Sequence, residues 1–390
     1  MPDGHNKSPG RILYVSTKCG FFGGVERYIF DTAEALRRHG FSVSGLFQSP
    51  GREPEVFCSV FDQVYRPEDI DQIKYNDYDM AFVHKVDNAR LICRIRNKFP
   101  TAVFVHDHDY YCLRRHKYFP VCRKNCSLPQ SKIYCPVCSC FIERKSNGRI
   151  GLIDIREKFV ISRQLQKCNE FIVMSNFMQD NLEMNQYRKN AISKLYPIRG
   201  LLPKAVPDTT VPPVILCCSQ LIKGKGVDLF IKALRHVKSS CQAWIVGAGS
   251  AEQELKAMVE KYQLSEKVEF KGWVPDPTAL LDKATLAVSS PRWQEPFGLT
   301  GIEAMAAGVP VVGFDVGGIT EWLKNGVNGI AVKSGDTVAF ATAIDKLLAN
   351  PEMAGSYGQA GRKMINDLYS EHAFIEGFTQ IMKKVKAEQG

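Results

Sequence analysis

The segment 286–332, LAVSSPRWQEPFGLTGIEAMAAGVPVVGFDVGGITEWLKNGVNGIAV, constrains the fold more than any other part of this chain. Its short, uninterrupted apolar runs at 286–289 and 309–312 read as buried strands. A Pro-Phe-Gly loop and a short helix lie between them, and a Gly-Gly turn, a second short helix and an Asn-Gly turn follow. Gly298, Leu299 and Thr300 fall where the loop becomes helix, so their N–H groups have no acceptor inside it. Together with the helix dipole they form an anion site suited to a pyrophosphate. Glu295 stands just before this helix, and Glu303 lies about one turn inside it.

These residues resemble the donor-sugar motif of the retaining glycosyltransferases of family 4. The resemblance implies an α/β chain with the GT-B fold, in which two Rossmann-like domains with parallel sheets face each other across a cleft. It also implies a nucleoside-diphosphate sugar as donor. Glu303 would then hold the ribose, Glu295 would reach the sugar, and Phe297, Gly298, Leu299 and Thr300 would line the donor site. Taken alone, Glu303 also reads as a first-turn acid that stabilises its own helix by about 0.3–1 kcal/mol.

The rest of the chain fits two such domains, as its 390 residues exceed what one core usually serves. Strands are expected at 11–16, 41–47, 80–84, 102–106 and 170–174, with helices at 25–38, 88–98, 151–166 and 175–185. The proline-containing stretch LPKAVPDTTVPP at 202–213 reads as a linker. After it come strands at 214–218, 243–246 and 268–271, alternating with helices at 227–237 and 251–262, and the chain ends in helices from 337 onward. The expected layout is an N-terminal acceptor-binding domain over 1–204 and a donor-binding domain over 205–370. A basic Cys-rich insertion occupies 107–150, and the resemblance implies a last helix, 371–390, returning to the first domain. Ligands of parallel sheets sit beyond the carboxyl ends of the strands.

Four further motifs extend the resemblance. In CSQLIKGKGVD, Lys225 and Gly226 match the family's Lys-Gly, but Gln220 stands where the family has an arginine. Gln220 can donate a hydrogen bond but brings no charge, so Lys225, helped by Lys223, would carry more of the neutralisation of the leaving diphosphate, an electrostatic task. Without the downstream motif, Lys225 would read as a solvent-exposed turn lysine. In GFFGGVE, Gly23 and Gly24 are assigned to the diphosphate, because glycine permits close backbone approach and positive φ. His106 ends a strand, as the family histidine near the sugar or acceptor does; a strand-end histidine is otherwise a structural group. VGAGS at 246–250 resembles the turn after the donor domain's second strand. In KGWVP, the backbone of Val274 would meet the nucleotide base. The resemblance implies no catalytic metal and no established covalent nucleophile: the leaving diphosphate itself helps deprotonate the acceptor.

Composition adds a partner question. The net charge is +10, and residues 90–150 hold 13 Lys and Arg against 3 Asp and Glu. Such a patch suits phosphates, anionic lipid or nucleic acid; it also fits a solvated surface, or charge set around a metal–thiolate cluster. The start of the chain lacks the pattern of a signal peptide, which points to a cytoplasmic protein, peripheral at the inner membrane face if the patch meets lipid. There, thiols stay reduced or bind metal. Six of the 13 cysteines lie between 112 and 140. CPVC at 135–138 is spaced to grip a tetrahedral ion, so Cys112, Cys126, Cys135 and Cys138 are the candidate ligands of a structural zinc, with Cys122 as an alternative to Cys126. An iron–sulfur cluster would use the same thiolates. The other seven cysteines read as small apolar residues. A glycan or lipid-linked acceptor fits the enzyme reading. One rival, a nucleic-acid-binding protein with a zinc module, lacks a finger pattern and an aromatic binding motif; the other is a related GT-B enzyme that uses a non-sugar acceptor or phosphate.

Overall fold

The computed structural model describes residues 9–119, 124–139, 142–144, 150–152, 155–203, 212–274, 276 and 278–387. The chain divides into two compact units. The first comprises Met1–His116, Ser127–Ile198 and Glu371–Gly390; the second comprises Lys117–Cys126 and Arg199–Ser370.

Strands β1 (Arg11–Cys19), β2 (Ser42–Pro50), β3 (Val64–Tyr65), β4 (Met80–Val83) and β5 (Thr101–Phe104) open the chain. The hairpins β6 (Tyr118–Phe119) with β7 (Lys124–Asn125) and β8 (Ile142–Arg144) with β9 (Ile150–Leu152) follow, then β10 (Glu170–Val173) and β11 (Ile192–Lys194). The sheet of the first unit runs β11-β10-β5-β4-β1-β2-β3, with every pair parallel. Its two faces are both covered, as a parallel sheet requires. Along β1, Leu13 and Val15 point into a core with Leu91, Ile92, Ile95, Leu165 and Met178. Tyr14 alternates to the other face, among the rings of Phe61 and Phe82. On that side the C-terminal helix Glu371–Ala387 sets Phe378 against Phe41 and Phe82. Each such fully buried side chain contributes about 1.5–3 kcal/mol.

The second unit carries β12 (Val214–Cys218), β13 (Gln242–Val246), β14 (Val268–Gly272), β15 (Leu286–Ser289), β16 (Val311–Asp315) and β17 (Gly329–Lys333), in the order β14-β13-β12-β15-β16-β17, again all parallel. In both sheets the order reverses at the first strand, the switch point beyond which Rossmann-like sheets bind ligands.

Two sequence expectations shift. The helix expected from 151 starts at Ile155, because Ile150–Leu152 pairs antiparallel with Ile142–Arg144. The division between units falls at Ile198/Arg199 rather than 204/205. Backbone bonds draw 199–202 into the second unit: Arg199 N–H donates to Tyr369 O at 2.7 Å, and Leu202 N–H to Ala306 O at 3.1 Å. Most of the expected linker, 204–211, lies outside the described residues.

Candidate functional site

In the second unit the loops after β12 and β15 meet. Gly226 takes φ 65°, and a Cβ there would lie 1.9 Å from Ser290 O, so only glycine allows this approach. Gly224 O accepts from Arg292 N–H at 2.8 Å, and the guanidinium of Arg292 pairs with Asp228 in the first turn of the next helix. The contact brings Lys225 to the donor motif: its Nζ lies 2.7 Å from Glu295 Oε2. The side chains retain 26 % and 12 % exposure, which leaves the ammonium accessible to a ligand. Gln220 is exposed on the same turn.

The helix Leu299–Ala306 begins at Gly298, whose φ is 87°. Its entry is braced by Trp322, fully buried, whose Nε1–H donates to Phe297 O at 2.6 Å. A Cβ on Gly301 would lie 2.1 Å from the Trp322 ring, so helix and indole can pack only with glycine there. The brace fixes where the N–H groups of Gly298, Leu299 and Thr300 point. Glu303 follows within the same helix, and Arg199 Nη2 donates to its Oε1 at 2.5 Å. The sequence reading missed Arg199, as it stands 104 positions before its partner in a stretch that resembles only the approach to a linker. Val274 follows the exposed Trp273 just past β14.

In the first unit, His106 follows β5 and is partly exposed. Its Nε2 lies 2.9 Å from Nδ1 of His84, at the end of β4. Burial, together with the charge of Lys85, pushes His106 down to about 3. Burial also holds His84 well below the usual histidine range. His106 is therefore neutral at ordinary pH. Burial opposes the charge on Lys85, but Asp107 and Asp109 outweigh it and hold the ammonium above its ordinary value. Lys85, Asp109, Glu26, Lys18, Arg115 and Lys158 help to line a cavity of about 210 Å³ within this unit. The glycine expectation needs correction. In that loop Gly20 adopts positive φ, 137°, while Gly23 is extended at φ −174°. Space remains at Gly23, where the nearest atom to an added Cβ is Glu26 Oε2 at 3.9 Å.

Of the donor-side candidates, Lys225, Gln220, Val274, Glu295, Phe297, Gly298, Leu299, Thr300 and Glu303 belong to the second unit, whereas Gly23 and Gly24 belong to the first, as does His106. Of the metal candidates, Cys112, Cys135 and Cys138 fall in the first unit and Cys126 in the second. Cys135 Sγ accepts from Ser131 N–H at 3.2 Å. Among the described residues, no three His, Cys, Asp or Glu side chains gather as a metal site. Cys122 and Cys140 lie outside them. Of the seven remaining cysteines, Cys19, Cys168, Cys217 and Cys241 are buried, and Cys58, Cys93 and Cys218 are half-buried.

Comparison with known proteins bears on the family and the fold. A family described as "Glycosyl transferases group 1" matches residues 203–364, the span that holds the donor-side candidates other than Gly23 and Gly24. The chain is 32 % identical to the glycogen synthase of Mycobacterium tuberculosis over 96 % of its own length and 95 % of that protein. It belongs to the group 1 glycosyl transferases. Another relative is the GDP-mannose-dependent alpha-(1-6)-phosphatidylinositol monomannoside mannosyltransferase of Mycolicibacterium smegmatis, 34 % identical over 38 % of this chain and 42 % of the relative. The chain spans under half the length of the first curated relatives that it matches. The crystal structure of Anabaena Alr3699/HepE in complex with UDP superposes with a TM-score of 0.75 at 16 % identity, covering 96 % of this chain and 99 % of that one. The lipopolysaccharide outer core galactosyltransferase WaaB superposes with a TM-score of 0.72 at 14 % identity, over 96 % and 99 %. The group 1 chain thus has the GT-B fold, with two Rossmann-like units.

Proposed function

We propose that this chain transfers a sugar, with retention, from a nucleoside-diphosphate sugar to a glycan or lipid-linked acceptor in polysaccharide or glycolipid synthesis. The observation that carries the reading is the single construction formed by Lys225, Glu295, the N-terminus of Leu299–Ala306 and Glu303. One cation and a helix N-terminus serve a departing diphosphate. Glu303 is a hydrogen-bond acceptor for a ribose diol, and Glu295 faces the sugar beside the lysine. UDP in the solved complex and GDP-mannose in a relative's name support a nucleotide donor while differing in the base.

A thermal-shift screen of nucleotide sugars tests this proposal, since a ligand at 100 times its dissociation constant adds about 2.7 kcal/mol. The cognate donor should raise the midpoint for the wild type and much less for Glu303→Ala. No shift with any nucleotide sugar, or an equal shift in the variant, refutes the assignment.

Two finer proposals concern the insertion. Its thiolates hold one structural zinc through Cys112, Cys135, Cys138 and either Cys126 or Cys122, supported by the CPVC spacing; elemental analysis should find about one zinc per chain. Its basic surface docks on anionic lipid, with each basic group contributing about 1 kcal/mol. Vesicle binding insensitive to salt and anionic lipid counts against this, as does preferential retention on nucleic acid. No helix among the described residues is long and apolar enough to cross a membrane.

A further inference from the structure

His84 is completely buried, and its ring is held in one place. It stacks on Tyr14 at 5.1 Å and 12°, lies edge-on to Phe82 at 4.4 Å, and stacks on Phe104 at 5.9 Å. Its backbone is fixed as well: the N–H donates to Val15 O at 2.8 Å, and the Tyr110 hydroxyl donates to its carbonyl. The only side-chain hydrogen bond of this ring among the described residues is Nδ1 to His106 Nε2, and Nε2 of His84 is buried without a partner.

That unpartnered atom decides where the protons sit. A neutral imidazole carries one N–H and one lone pair. If His84 were protonated on Nε2, a buried N–H donor would have no acceptor, the kind of orphan that native structures least tolerate. Protonated on Nδ1, His84 leaves only a lone pair unpaired and donates to His106. His106 Nε2 must then accept, so its own proton sits on Nδ1. The ring of His106 is itself constrained, 4.5 Å from Phe104 and edge-on to Tyr28 at 5.2 Å. Neither ring carries charge at ordinary pH, with Lys85 the cation beside the pair.

We propose that His84 is a positioning residue that locks His106 as its Nδ1–H tautomer, so that His106 offers an N–H donor to an oxygen of the bound substrate. The second half of this statement rests on the glycosyltransferase reading, whereas the first does not. The donor role suits a sugar hydroxyl or a diphosphate oxygen, and it differs from general acid or base catalysis because no proton leaves the ring.

The test is a long-range ¹H–¹⁵N correlation spectrum of the full chain, with the His106 signals assigned by their loss in His106→Gln. Wild type should show the Nδ1–H form. His84→Phe keeps the stacked ring but removes the donor that holds the Nε2 lone pair of His106, so His106 should lose its single form and show Nε2–H signals, with the N–H against the aromatic ring, beside the Nδ1–H ones. His84→Asn, whose amide nitrogen can stand near the position of Nδ1, should restore the Nδ1–H form. Transfer should fall at least about tenfold in His84→Phe and recover in His84→Asn. An Nε2–H His106 in wild type overturns the proposal, and so does a tautomer unchanged by His84→Phe. If His84→Phe does not fold, the wild-type and His84→Asn spectra still decide. A locked tautomer with transfer unaffected in the variants removes the substrate contact alone. A locked tautomer in a protein that transfers from no nucleotide sugar refutes the proposed function instead.

Discussion

Replacing Lys225 with methionine separates two roles of one ammonium. The first is structural. Nζ lies 2.7 Å from Glu295 Oε2, and the carboxylate side chain is only 12 % exposed. A charge-assisted hydrogen bond at a buried site is worth about 1.5–3 kcal/mol, and the 26 % exposure of the lysine reduces that to about 1–2 kcal/mol. Urea denaturation should therefore show Lys225→Met destabilised by about that amount, and Lys225→Met/Glu295→Gln should regain most of it, because no unpaired charge remains. The second role is catalytic. Removing one preorganised group from a developing anion costs about 3–4 kcal/mol, or about 10²–10³ in kcat. Release of nucleoside diphosphate from the cognate donor is the assay, and the double variant should remain as slow as the single one. A Lys225→Met enzyme within about threefold of wild-type kcat would refute the diphosphate role. A double variant as unstable as the single one would refute the structural role.

Three other outcomes are expected. Arg199→Gln should weaken donor binding in calorimetry by about tenfold, roughly the 1.4 kcal/mol of one charge-assisted bond, because the Glu303 carboxylate loses the guanidinium that orients it; unchanged affinity would make Arg199 a mere tether. Gly226→Ala should lower stability by about 2–4 kcal/mol through a left-handed backbone and a Cβ 1.9 Å from Ser290 O, read as a shifted denaturant midpoint. The C-terminal helix should loosen in acid. Arg38 holds the Glu371 carboxyl below its ordinary range, so this contribution is complete above about pH 4.3 and is lost as pH falls through the lowered value. Hydrogen exchange over 371–387 should then rise in acid in wild type and change less in Glu371→Gln.

What was legible in the sequence is what lies close together along the chain. The strand–loop–helix of the donor motif, the Lys-Gly turn and the alternation of both units are local patterns of apolar runs and glycines, and their structures follow. The failures come from pairings between distant residues. Arg199 finds Glu303 across the second unit, and nothing near Arg199 signals a carboxylate. His84 reads as the last residue of an apolar strand, and only the register of β4 beside β5 sets it against His106. The hairpin that displaced the expected helix start did leave a local trace, Asn147-Gly148 between two short runs, a turn signal outweighed by the helical pattern downstream.

The hairpin β6–β7 has a consequence for anyone who wishes to take this protein apart. Because Lys117–Cys126 is counted with the second unit, the polypeptide passes between units at 116/117, 126/127, 198/199 and 370/371. Within the second unit, Gln294 Nε2 donates to Cys126 O at 3.1 Å, one residue before Glu295. A fragment or chimaera cut at 198/199 would leave behind ten residues of the half it means to carry, and with them a bond at the edge of the donor loop. Exchange of donor halves between relatives would therefore have to move a second, non-adjacent piece of chain, and in this protein that piece lies inside the cysteine-rich insertion.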